Sequence, residues 1–199
     1  MTLSPTRQDW PSTTAFFDEC HKYGIEPLVT ICHFDTPIAL IKKYGGWKDR
    51  RMVDAYVHYC EVLFDRFKGK VKYWLTFNEI NMLLHLSFTG AGLVFHPGEN
   101  VEQVKYQAAH HELVASAKAV KLAHEKMPDA MVGCMLAAGQ FYPRTCAPGG
   151  CAGGAGGRPG QLLLYRCTGA RRLPRVGQKA DGARRGASCA PSRRMTARC

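Results

Sequence analysis

The sequence predicts an α/β fold built on a parallel sheet, and three observations carry that prediction. Short apolar, partly β-branched runs alternate with longer stretches of helical apolar spacing, the order that yields parallel strands joined by right-handed crossovers. The run Val71–Phe77 ends in the pair Asn78-Glu79, and the C-terminal end of a parallel strand is where α/β barrels carry catalytic groups. A break in composition near Ala147 confines the ordered-looking part to the residues before it.

The elements follow in order. Residues 12–23 read as a helix, with Ser12 placed to cap it and Gly24 to stop it. Ile25–Cys32 is a short apolar run of the kind buried on both faces of a sheet. A loop, His33-Phe34-Asp35-Thr36-Pro37, leads into a short helix that ends at Tyr44 before Gly45-Gly46. Asp49 can cap the next helix, whose apolar positions Val53, Tyr56, Val57, Cys60, Leu63, Phe64 and Phe67 keep helical spacing until Gly69. The strand 71–77 follows. A helix over 101–126 and a strand over 130–136 complete the pattern.

Charge divides the chain at the same place. The 199 residues hold 27 Lys+Arg and 16 Asp+Glu, net +11. Eleven of the basic residues lie from Ala147 onward with one acid, Asp181, so the tail carries +10 and residues 1–146 carry +1. The tail also holds 11 Gly and a single aromatic residue, Tyr165. Such a composition buries too little to offset chain entropy, and disorder is expected over 149–199. Arginine- and glycine-rich segments can bind RNA, but a tail never selected as protein is the stronger expectation, so nucleic acid is not expected as a partner. No run approaches the roughly 18–20 apolar residues of a membrane span, and the N-terminus lacks signal-peptide regions. Cys20, Cys32, Cys60 and Cys134 sit within apolar patterns, and Cys146 and Cys151 lack the spacing of a zinc site. A reduced, cytoplasmic setting without metal or cofactor is expected.

Seven ordered segments carry a family resemblance: D-E-C-H-K-Y-G-I-E-P-L-V-T at 18–30, C-H-F-D-T-P at 32–37, Y-G-G-W at 44–47, K-Y-W-L-T-F-N-E-I-N at 72–81, G-A-G-L-V-F at 90–95, V-K-Y-Q-A-A-H-H at 104–111 and V-G-C-M-L-A-A-G-Q-F-Y-P at 132–143. Residues 16–148 resemble the 6-phospho-β-glucosidase branch of glycoside hydrolase family 1. The resemblance implies a partial (β/α)8 TIM barrel, helix 2 through strand 5, with residues 1–15 outside the family pattern. Read in a shifted frame, residues 4–17 become approximately K-P-N-Q-A-G-L-A-F-Y-D-G-L-F, and residues 163–174 become F-F-I-D-V-Q-A-R-G-A-Y-P. Both resemble the family at those positions, so the flanks read as frame-shifted around an in-frame body.

Retaining glycosidases need two carboxyl groups about 5–5.5 Å apart, one to protonate the leaving oxygen and one to attack the anomeric carbon. By resemblance Glu79 is the acid/base, Asn78 bonds the sugar 2-hydroxyl, and His33 contacts a glycone hydroxyl. From spacing alone, Glu79 could equally be a strand-end acid paired with a nearby Lys, and His33 could be a satisfied structural histidine. Asp35 is a possible second acid on the residues alone, although the family gives that position no such role. His110 and His111 lie mid-helix and read as packing residues; Tyr142-Pro143 read as strand-end structure. The family nucleophile, a Glu in an E-N-G motif, has no match: Glu99-Asn100 is followed by Val101, and no Glu occurs after Glu125. The late loop that holds a sugar 6-phosphate is also unmatched. The expected substrate is a β-glucoside, 6-phosphorylated by overall similarity. The chain by itself is expected to be inactive, with open sheet edges that favour aggregation. The competing reading is a non-enzymatic barrel remnant whose basic tail binds nucleic acid or another polyanion.

Overall fold

A computed structural model describes residues 9–137 of the chain. The readings at Ser4, Tyr142-Pro143, Cys146, Cys151 and the basic tail lie outside the described residues. The described elements run α1 (Asp9–Lys22), β1 (Leu28–Cys32), α2 (Ile38–Tyr44), α3 (Arg51–Phe67), β2 (Tyr73–Phe77), α4 (Ser87–Ala91), α5 (Val101–Lys126) and β3 (Met131–Gly133). Two 3-10 turns, Gly46–Lys48 and Ile80–Leu84, lie between them. The strands form one parallel sheet in the order β1-β2-β3. This is the arrangement of three consecutive strands of a (β/α)8 barrel.

Helix α1 begins at Asp9, not after a cap at Ser12. Pro11 suits a first turn, where its missing N–H has no partner to lose, and Trp10 packs on Phe67 at 5.7 Å. The helix stops as expected at Gly24, which adopts φ +70 and donates its N–H to His21 O at 2.9 Å. Strand β1 starts at Leu28, later than the apolar run suggests, because Pro27 has no N–H to give a ladder. The strands expected at 71–77 and 130–136 are likewise trimmed to 73–77 and 131–133. Single ladder-like bonds continue past their ends, Asn78 N to Cys32 O and Met135 N to Phe77 O, both at 3.0 Å.

Asp49 does cap α3: its Oδ1 accepts from the Arg51 N–H at 2.8 Å. The Arg51 side chain turns back onto the same carboxylate and, with that N–H, holds its pKa down to about 2. The apolar stripe of α3 is buried as its spacing predicts, with Val57 only partly covered. Helix α5 faces the sheet with Ala108, Ala109, Ala115, Ala119 and Ala123, small side chains that let its backbone approach closely. The register fixes which way each strand residue faces. Trp74 pairs with Val29 and Val132 and turns to the helices, meeting Phe64 edge-on at 5.3 Å. Leu28, Tyr73 and Met131 form a row on the opposite face.

Two motif segments meet where no side chain fits. Gly46 has φ +71, and a Cβ built on it would lie 2.3 Å from Gly92 O. The Y-G-G-W turn is thereby pressed onto the end of α4.

Candidate active site at the strand ends

The loops leaving β1 and β2 start side by side, because Cys32 and Phe77 are the last paired residues. His33 therefore lies beside Asn78-Glu79. Both exits bend through left-handed backbone: Phe34 at φ 63 and Glu79 at φ 44, ψ 56. They are the two non-glycine residues with positive φ among the described residues. A bulky side chain rarely adopts this conformation, and such strain, on the order of 1–3 kcal/mol each, persists where surrounding structure over-determines it.

The determining contacts are present on both loops. In the β2 loop, Met82 N donates to Glu79 O at 2.7 Å, and Ile80 and Leu83 are buried on either side of the turn. Asn81, fully buried, uses both ends of its amide on one residue beyond β3: Nδ2 donates to Ala137 O at 2.8 Å, and Oδ1 accepts from Ala137 N at 3.0 Å. In the β1 loop, Asp35 Oδ1 accepts from the His33 N–H at 2.9 Å, and the His33 ring stacks on Phe34 with centroids 5.6 Å apart.

The side chains themselves are left without partners. Glu79 is half-buried, Asn78 is 7% exposed and His33 is exposed. None of the three side chains makes a hydrogen bond or ion pair among the described residues. The Lys partner that would make Glu79 a structural acid is therefore not found among the described residues. Most buried polar side chains elsewhere are hydrogen-bonded, as burial requires; Thr36 Oγ1, Trp47 Nε1 and Glu112 Oε1 are the exceptions among the described residues. Asp35, the alternative second acid, is exposed and committed through Oδ1 to the loop backbone.

His111 does pack as its mid-helix position suggests. It is 5% exposed, its Nδ1 donates to Trp47 O at 2.8 Å, and its Nε2 accepts from the Gln107 amide at 2.8 Å. Two residues near the site escaped the sequence reading. Asn81 reads as one more polar residue in a loop, although it stands within the apolar Ile80–Leu84 turn. Glu112 occupies the sheet-facing stripe of α5 with Ala108, Ala115 and Ala119, and that spacing could have marked it. It is 1% exposed, its Oε1 has no hydrogen-bond partner among the described residues, and burial raises its pKa well above the usual range. Burial likewise pushes the Cys32 thiol to about 12, aided by Asp35 and Glu112. Among the described residues no cluster of His, Cys, Asp or Glu could hold a metal ion, and no helix is long and apolar enough to cross a membrane.

The sequence matches the profile of Glycosyl hydrolase family 1 over residues 14–149. It is 58% identical over 146 residues to the 6-phospho-beta-glucosidase AscB of Escherichia coli (strain K12), an alignment covering 73% of this chain and 31% of that protein. It is 54% identical over 132 residues to the aryl-phospho-beta-D-glucosidase BglH of Bacillus subtilis (strain 168), covering 66% and 28%. The fold superposes on the family 1 β-glucosidase from Thermotoga maritima with a TM-score of 0.61 and 30% identity, over 80% of this chain and 33% of that one. The complex of a Thermotoga maritima β-glucosidase with deoxynojirimycin gives 0.59 and 34%, over 70% and 31%. The chain spans about a third of the length of the relatives it matches.

Proposed function

The chain belongs to glycosyl hydrolase family 1, and on that premise we propose that it carries the acid/base half of a retaining β-glycosidase acting on 6-phospho-β-glucosides. One observation carries the reading: Glu79 stands on strained backbone at the end of β2, beside Asn78 and His33, with no intramolecular partner among the described residues. A carboxyl group held in that way is free to exchange a proton with a ligand.

In the proposed reaction Glu79 protonates the glycosidic oxygen as its bond to the anomeric carbon breaks. A second carboxylate attacks that carbon and forms a glycosyl-enzyme. Glu79, now ionised, takes a proton from the water that displaces the enzyme carboxylate, which restores both groups. The Asn78 amide bonds the 2-hydroxyl and His33 a further glycone hydroxyl. The phosphorylated substrate class follows from the names of the relatives, and a cytoplasmic setting is proposed with it. This sequence has no E-N-G motif. The chain alone is therefore proposed to be inactive, its residues 16–148 being the in-frame glycosidase part.

The test is a chimera in which residues 14–149 replace the matching third of AscB. It is expected to hydrolyse alkyl and aryl 6-phospho-β-glucosides. Glu79→Gln should lower kcat/KM by about 10²–10⁴-fold on an alkyl aglycone, and far less on dinitrophenol, which leaves without a proton. Equal losses on both aglycones would remove Glu79 from the acid role. Turnover by the unmodified chain, lost in Glu79→Gln, would overturn the inactivity.

A further inference from the structure

Glu79 stands between two tethers that reach opposite neighbours of β2 in the sheet. On its N-terminal side the Asn78 N–H donates to Cys32 O, at the end of β1, at 3.0 Å. On its C-terminal side Asn81 reaches past the end of β3, where Nδ2 donates to Ala137 O at 2.8 Å and Oδ1 accepts from Ala137 N at 3.0 Å. Between the tethers Glu79 holds φ 44 and ψ 56, and its own carbonyl accepts from Met82 N at 2.7 Å. Asn81 lies inside the turn that this last bond closes. The Glu79 side chain does not cap that turn, so it adds nothing to its own restraint. An amide that meets both the N–H and the C=O of one residue reproduces the exchange made by a strand neighbour. At 0% exposure the exchange is shielded from water, which strengthens it and makes its loss costly.

We infer that Asn81 is a positioning residue for Glu79: its amide, locked to the backbone of Ala137, holds the left-handed turn that aims the carboxyl for proton transfer. The inference rests on the acid/base reading of Glu79. Asn81 is fully buried with its amide committed to Ala137, so it acts through Glu79 and not on the sugar. Proton transfer needs the carboxyl within hydrogen-bond reach of the leaving oxygen, and a misplacement of about 1 Å can cost about 10²-fold. His33 and Asn78 precede the Asn81 tether in the chain, so glycone contacts made by them should survive its loss.

The test uses the chimera, where residues 14–149 sit in a complete barrel. Asn81→Ala should lower kcat/KM by on the order of 10²-fold on an alkyl 6-phospho-β-glucoside, and far less on the dinitrophenyl one. Added to Glu79→Gln, it should cost the alkyl substrate little more than Glu79→Gln alone, because no acid remains to be aimed. Asn81→Asp keeps the side-chain volume and the Oδ1 acceptor, and so answers for a truncated variant that fails to fold. It can rebuild both bonds only when protonated, its O–H donating to Ala137 O. Its alkyl deficit relative to the parent chimera should therefore shrink as pH is lowered. Parallel losses on both aglycones in both variants, no loss in either, or full additivity with Glu79→Gln would overturn the inference and leave Asn81 a residue of the fold alone. Equal losses on both aglycones in Glu79→Gln itself would instead remove the acid/base reading on which the inference rests.

Discussion

Polar groups between the sheet and its helices obey one rule, and those at the strand ends obey another. In the interior, Tyr56 OH donates to Thr76 O at 2.6 Å, while Thr76 Oγ1 meets Ser116 Oγ at 2.8 Å and Gly133 O at 3.2 Å. Each bond answers the cost of leaving a buried donor or acceptor unpaired, about 1–3 kcal/mol. At the strand ends Glu79, Asn78 and His33 are held in place through their backbone and neighbours, and their side chains stay uncommitted. The interior uses polarity to fix the fold, whereas the strand-end side chains carry no such bond among the described residues, and we propose that they serve a ligand. The Glu79→Gln chimera probes that difference most strongly: activity should fall by about 10²–10⁴-fold while the urea midpoint stays within error.

The next test breaks the scaffold and spares the reacting groups. Gly46→Ala places a Cβ against the backbone of Gly92 at φ +71, so neither a rotamer change nor a side-chain shift relieves it. Strain and displaced backbone together should cost about 3 kcal/mol in the chimera's urea unfolding. Activity should fall only as folded protein is lost. An unchanged midpoint would mean that the two loops are not pressed together.

The same contrast explains what was legible beforehand. Helices α3 and α5 were legible because their apolar positions repeat at helical spacing over 17 and 26 residues. The strand β2 was legible as an apolar run ending in an acid. The Ile80–Leu84 turn and α4 were not, since they are short and fixed by tertiary contact: Ser87 Oγ bonds Leu83 O at 2.7 Å, and Gly90 abuts Leu83. The start of α1 was misplaced because Trp10 finds its partner, Phe67, far along the chain. At the site, the strand-end position drew attention to Glu79, and the family resemblance named Glu79, Asn78 and His33, while spacing alone left Glu79 and His33 open as structural residues. Their lack of partners and the left-handed backbone depend on which residues the fold brings near, and no local pattern encodes that.

Glu112 is, with Trp47 Nε1 and Thr36 Oγ1, an exception to the interior's rule among the described residues, and pH tests it. Its folded pKa is raised, so above about pH 4.3, the ordinary Glu value, the folded chain holds a proton that the unfolded chain has released. Stability should then fall as pH rises, with a slope of about one proton, until the folded pKa is passed. The contribution is complete below the unfolded pKa. Glu112→Gln, which cannot ionise, should flatten that slope and raise the midpoint at neutral pH. An unaltered pH profile would mean that the carboxyl has a partner or water that keeps it charged.

The smallest effect is the sharpest test of the strand-end rule. His33 is exposed and stacks only on its neighbour Phe34, and its backbone N–H, not its ring, is tied to Asp35. Removing the ring strands no buried partner and opens no cavity, so His33→Ala should change stability by no more than about 0.5 kcal/mol. If the ring is reserved for a glycone hydroxyl, the same substitution should still raise KM for the 6-phospho-β-glucoside in the chimera. A destabilisation as large as that of an interior polar residue, with KM unchanged, would place His33 among the groups that hold the fold.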